Sequence, residues 1–92
     1  MPKATERELS LFFALSSPLR VSIFQCLQKG ELSVKAISEQ LDLKHSRISQ
    51  ELHILREVKL VTSRTEGRHH YYKIRTVGLK PILKWLDQFD GE

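Results

Sequence analysis

The sequence contains a single cysteine, Cys26, so it cannot form an internal disulfide, and it has neither a Cys-x-x-Cys pair nor a zinc-finger spacing. Four glycines and three prolines leave no flexible or Pro-rich linker, and no repeat or low-complexity tract divides the chain. Long apolar runs are missing too. The longest is Leu11 to Leu15, far short of the ~20 residues needed to span a bilayer. Lys3 and Arg7 are interrupted by Glu6 and Glu8 and precede no small-residue cleavage site, so no signal peptide is expected and the chain reads as cytoplasmic. No phosphate loop, Cys/His nucleophile pair or carboxylate pair in a plausible cleft is present, which argues against an enzyme and against any cofactor. What remains is 92 residues, 40% hydrophobic and 28% charged: too apolar for a disordered tail, and the length of one domain spanning 1–92.

The net charge is +4, and its placement says more than its size. Residues 41–75 hold eight Lys/Arg against four Asp/Glu, whereas the segments on either side are nearly balanced. A local basic excess suits a polyanionic partner. It equally suits a solvated charged face, and charge alone does not choose.

The punctuation defines the elements. Thr5-Glu6-Arg7-Glu8 is a capping box opening a first helix, apolar on one face at Leu9, Phe12 and Phe13 and on another at Leu11 and Leu15. In so short a chain, a helix apolar on two sides is expected to pack against a second copy. Ser17-Pro18 starts a second helix, with Leu19, Ile23, Phe24 and Leu27 at helical spacing and Gly30 ending it. Ser33 caps a short third helix with Val34, Ile37 and Leu41 inward. After Asp42-Leu43, a fourth runs from about Ser46 to Glu57, buried through Ile48, Leu52 and Leu55. The period then changes to two. Leu60–Arg64 and His70–Ile74, separated by Thr65-Glu66-Gly67-Arg68-His69, read as a β-hairpin. Thr76 is expected to cap a last helix carrying Leu79, Ile82, Leu83, Leu86 and Phe89, with Pro81 tolerated near its first turn.

This order predicts a mainly α fold with a β-hairpin: a winged helix-turn-helix, α-α-α-α-β-β-α. The fourth helix is then the element that enters a major groove of double-stranded DNA. Its N-terminal residues Lys44, His45, Ser46, Arg47, Ser49 and Gln50 would reach the bases and phosphates. Arg47 has the fork for guanine and Gln50 the amide for adenine. Around Gly67, the wing offers Arg64, Arg68 and Lys73, with Arg68 at the tip suited to a narrow minor groove. A winged-helix module for protein or RNA is the alternative, but its docking helix should be apolar outside.

Phe13-Ala14-Leu15-Ser16-Ser17-Pro18-Leu19-Arg20, Gly30-Glu31-Leu32-Ser33-Val34, Ile48-Ser49-Gln50-Glu51-Leu52, Leu55-Arg56-Glu57 and Glu66-Gly67-Arg68 with Tyr71-Tyr72 together resemble the ArsR/SmtB family of repressors. The resemblance implies a homodimer joined through its first and last helices, here Leu9, Phe12, Phe13, Leu79, Ile82, Leu83 and Leu86. It further implies binding to a pseudo-palindromic operator and release on a signal. Where many relatives carry a Cys-x-Cys pair, this chain has Ser33-Val34-Lys35. Where others bind zinc through Asp and His on the last helix, residues 76–92 hold no histidine, and Asp87, Asp90 and Glu92 are bunched at the end. No metal site is therefore expected. His69 and His70 alternate along a strand and cannot share an ion, so phosphate contact is expected over metal binding for His45 and His69; His53 fits either the interface or plain surface. Cys26 is expected to be a buried apolar-like residue. Lys59 replaces the glycine usual after the fourth helix, which implies a left-handed lysine.

Overall fold

The computed structural model describes residues 3–89, so Asp90 and Glu92 lie outside the described residues. Helices α1 (Glu6–Leu15), α2 (Pro18–Cys26), α3 (Val34–Leu41) and α4 (His45–Glu57) precede the hairpin β2 (Val61–Glu66) and β3 (His69–Ile74), and α5 (Lys80–Leu86) closes the order. The local signals act as the residue types dictate. The Thr5 hydroxyl accepts from the Glu8 amide while the Glu8 carboxylate accepts from the Thr5 amide. Ser17 and Ser33 accept from Arg20 and Ala36 to cap α2 and α3. The turn of the helix-turn-helix is made by Asp42, whose left-handed conformation (φ 53°) is one that short acidic side chains tolerate.

Leu11, Ala14, Ile23, Leu27, Val34, Ile37, Ile48, Leu52, Leu55, Leu60, Val61 and Ile82 form one buried cluster. Every expected inward position of α4 is in it. No single helix among the described residues is long and apolar enough to cross a membrane.

Five features differ from expectation. A two-residue strand β1 (Leu32–Ser33) pairs antiparallel with β3, making a three-stranded sheet in the order β1-β3-β2; so short a strand shows no period. The hairpin loop is two residues, with Glu66 paired to His69 and Gly67 at φ 60°, the positive angle a primed turn demands of its first residue. Helix α4 starts at His45 behind Lys44, so Ser46 lies inside the first turn and is not the cap. Thr76 opens a 3-10 segment, Thr76–Leu79, instead of capping α5. Pro81 has no amide and crowds the carbonyl four residues back, so regular helix begins only at Lys80. The helix ends at Leu86, so Phe89 lies beyond it but still packs on Trp85 at 4.7 Å between ring centroids. Finally, Ile82, expected at the dimer face, is in the core. The expected left-handed lysine is observed: Lys59 has φ 61°.

Gly78 explains the tight junction before α5. Its Cα faces the Lys59 carbonyl so closely that a Cβ would collide with that backbone oxygen. Gly78→Ala should therefore destabilise the fold by about 1–3 kcal/mol, the usual range for overpacking against an unyielding neighbour. Thermal unfolding followed by circular dichroism would show it as a drop of at least roughly 5 °C. An unchanged midpoint would mean that the junction is soft.

Candidate nucleic-acid interface

The α4 N-terminus lies at the centre of the candidate surface. Lys44, His45, Ser46, Arg47, Ser49 and Gln50 are all exposed, while Ile48 between them is buried. That alternation follows from the helical period: positions 48, 52 and 55 face the core while 45–47, 49, 50 and 53 turn outward. The first turn of α4 carries no acidic residue, so nothing offsets the positive end of the helix dipole there. The exposed residues are polar or cationic, which is the wrong surface for an apolar docking partner.

The wing tip comes to the same place. His45 and Ser49 of α4, Ser33, Val34 and Lys35 at the start of α3, and Arg68, His69 and His70 of the hairpin line one cleft of about 270 Å³. Three elements distant in sequence thus present cations and hydroxyls to a single groove. The sequence alone points to His45, Ser49, Arg68 and His69 as DNA contacts, but not to Lys35 or His70. Register places His70 with Tyr72 and Ile74 on the sheet face toward the helices, which a strand's alternation shows only once the core side is known.

Arg64 behaves differently. Its guanidinium donates to both oxygens of Glu31 at 2.7–3.1 Å and to Glu66 at 2.8 Å, and its Cζ sits 4.5 Å from the Tyr71 ring centroid. Expected among the DNA contacts, it is engaged within the protein. These carboxylates hold the Arg64 pKa above its usual value, and Arg64 in turn holds the Glu31 carboxyl below the ordinary carboxylate range.

A second unforeseen group fixes α4 itself. Arg20 Nη1 donates to Glu51 Oε1 at 2.8 Å and its Nε to the Ala14 carbonyl at 2.7 Å, with side-chain exposures of only 11% and 12% for Arg20 and Glu51. The other Glu51 oxygen is 3.3 Å from Arg47 Nε, whose side chain is 57% exposed. The Arg47–Glu51 spacing is legible as a helical i,i+4 pair; the Arg20 partner is not. At the far end of α4, Arg56 donates to the Ser63 hydroxyl at 3.1 Å and ties β2 to the helix. His53 lies 3.6 Å from Glu57, away from the residues lining the cleft. Cys26 is half-buried, not fully buried, and desolvation pushes its thiol pKa up. The residues at the expected thiolate position do not suit a thiophilic ion, because the Ser33 hydroxyl is occupied in capping α3.

Comparison with known proteins gives a consistent family of relatives. A model described as a helix-turn-helix domain matches residues 15–64. The chain is 28% identical over 80 residues to the transcriptional repressor SdpR of Bacillus subtilis, covering 87% of this chain and 89% of that protein. It is 31% identical over 86 residues to the transcriptional activator HlyU of Vibrio cholerae, covering 94% and 80%. A solved HlyU structure from Vibrio cholerae superposes with a TM-score of 0.78 at 29% identity, over the whole of both chains. An ArsR-like regulator from Rhodococcus gives a TM-score of 0.80 at 25% identity, covering 90% of this chain and 78% of that one.

The two ion pairs of Glu51 should differ sharply in weight. Glu51→Ala leaves a nearly buried guanidinium without its partner and should lower unfolding stability by about 2–3 kcal/mol. Arg47→Ala removes an exposed helical pair and should change it by less than about 0.5 kcal/mol. Urea unfolding of the two variants checks the contrast; equal effects would remove Arg20–Glu51 as the anchor of α4.

Proposed function

Starting from the fact that this chain belongs to the ArsR/SmtB family of winged helix-turn-helix regulators, we propose that it acts as a dimeric, cytoplasmic repressor that leaves a pseudo-palindromic operator on a signal. It is a DNA-binding transcriptional regulator and not an enzyme. The observation that carries the finer reading is the single cleft in which the α4 N-terminus and the wing tip meet. We take residues 1–92 as one DNA-binding domain. In it Arg47 and Gln50 read bases, Lys44, His45, Ser46 and Ser49 hold phosphates or bases, and Arg68 follows the minor groove or backbone.

The dimer reading rests on apolar surface left over after the core is filled. Phe12 stacks edge-on against Trp85 at 5.3 Å and so joins α1 to α5 within the chain, while Leu79 is partly buried. The most exposed large apolar residues among those described are Leu9 (56%) and Phe13 (66%) on α1 and Leu83 (57%) and Leu86 (50%) on α5. Large apolar side chains so exposed on adjoining helices favour a symmetric partner, where one patch serves both copies. The dimer face we assign is therefore Leu9, Phe13, Leu83 and Leu86, with Phe12, Leu79 and Ile82 behind it.

Phe13→Asp combined with Leu83→Asp should convert the dimer to a folded monomer, read by sedimentation at micromolar concentration. A wild type that is monomeric there, or a double variant that stays dimeric, would sink the assignment.

The readers differ in the kind of energy they contribute. Arg47→Ala should weaken the preferred site far more than a scrambled duplex, since a bidentate guanine contact discriminates by about 1–3 kcal/mol. Arg68→Ala should weaken both evenly and lower the slope of log K against log salt by about one for each phosphate no longer neutralised, or two per dimer. Half-sites should be spaced by about one helical turn, roughly 10 base pairs. Salt titrations on a duplex selected from a random pool check all three, and equal effects of Arg47→Ala on both duplexes would remove α4 as the reader.

A further inference from the structure

One side of the three-stranded sheet carries an ion-pair arrangement that reading DNA does not require. Register places Arg64 of β2, Tyr71 of β3 and Ser33 of β1 in one row. Glu31 precedes Ser33 by two residues and Glu66 follows Arg64 by two, so both share that face. The Arg64 guanidinium lies over the Tyr71 ring and reaches past the central strand to Glu31, making three bonds to that carboxylate and one to Glu66. It thereby ties the wing's outermost strand to the segment that enters α3, the first helix of the helix-turn-helix.

We propose that Glu31 and Arg64 are positioning residues that set the angle of the wing, so that Arg68 meets the duplex without Arg64 touching it. The proposal rests on the DNA-binding reading above.

The sheet topology supplies the mechanical reason. Strand β1 pairs only with Tyr71 and Tyr72, so from Thr65 to His70 the wing continues as a two-stranded ribbon. Such a ribbon is weakly held by itself. The brace sits at the base of that ribbon, on the last row where three strands are present. From there the tip is three residues away, about 10 Å, so a tilt of roughly ten degrees would move it by about 2 Å. That is enough to break a hydrogen bond. Isolated exposed ion pairs contribute little, but a forked guanidinium–carboxylate pair in a network is the case where they do. The lowered pKa of Glu31 keeps the brace ionised to more acidic pH than an ordinary glutamate would, and it is lost as the pH falls through that lowered value.

The placement also gives a test with opposite signs. Two carboxylates beside the wing repel a polyanion, so removing one should strengthen DNA binding if charge is all that matters. If Glu31 positions the wing, removing it weakens binding. The 92-residue protein would be titrated with its selected duplex by fluorescence anisotropy, as wild type, Glu31→Gln, Arg64→Lys, Arg64→Ala, Arg68→Ala and Glu31→Gln with Arg68→Ala. The expected result is about three- to tenfold weaker binding for Glu31→Gln and for Arg64→Lys, which keeps the charge but loses the fork. The loss on Arg68→Ala should shrink in the Glu31→Gln background. In the free protein, amide exchange should rise in residues 65–70 of both brace variants and stay unchanged in α3 and α4. Equal or tighter binding by Glu31→Gln overturns the brace, as does a salt slope that falls by about one per protomer in Arg64→Ala, the mark of a direct phosphate contact. A wild type that binds no duplex overturns the functional reading and this proposal together, whereas wild-type binding with a neutral Glu31→Gln overturns the brace alone.

Discussion

Arg20 sits where the end of α1, the first turn of α2 and the middle of α4 converge, and one guanidinium bonds across all three. Helix α1 has no basic residue in its own last turn, so its final carbonyls depend on Arg20 from the next helix, together with the Ser16 hydroxyl 2.6 Å from the Phe13 carbonyl. The same group holds Glu51 on α4. The helix that exposes Leu9 and Phe13 is thereby fixed to the helix that exposes Lys44, Arg47 and Gln50. With both side chains mostly buried, the pair is an all-or-nothing contact: satisfied, it specifies one packing; half-satisfied, it leaves a costly buried charge.

The basic excess of residues 41–75 looks uniform along the chain, but its members have different roles in the fold. Arg56 bonds to Ser63, Arg64 to Glu31 and Glu66, and Arg75 to the Lys59 carbonyl. Those three cations hold the wing and its base in place. Lys44, Arg47 and Arg68 remain exposed, and Arg68 lines the cleft together with Lys35 from outside the basic stretch. Fewer cations are therefore left to meet a polyanion than the eight Lys/Arg of this stretch suggest, which favours placement of contacts over general attraction.

Much of this was legible in the sequence. The caps at Thr5, Ser17 and Ser33 act within three residues, so they can be read from neighbouring letters. The inward set Ile48, Leu52 and Leu55 and the outward set on the same helix follow from one period. The change of period at Leu60, with a glycine between two β-rich runs, gives the wing, although the turn proved tighter than its glycine-containing stretch implied. The resemblance to a family rested on the same short segments and correctly implied the left-handed Lys59.

Tertiary structure alone decided which like residues do unlike things. Arg47, Arg64 and Arg68 are interchangeable as letters, but only Arg64 has a carboxylate brought to it from 33 residues away, and Arg20 finds Glu51 across 31. Ile82 and Leu83 are adjacent apolar residues, yet one fills the core and the other faces outward, because α1 packs against only one side of α5. Strand β1 exists because a partner edge is there to pair with, not because Leu32-Ser33 prefers to be extended. Local hydrogen bonds and periodicity act over a few residues and are written in the sequence. Ion pairing and burial depend on distances between segments, and those distances exist only once the chain has folded.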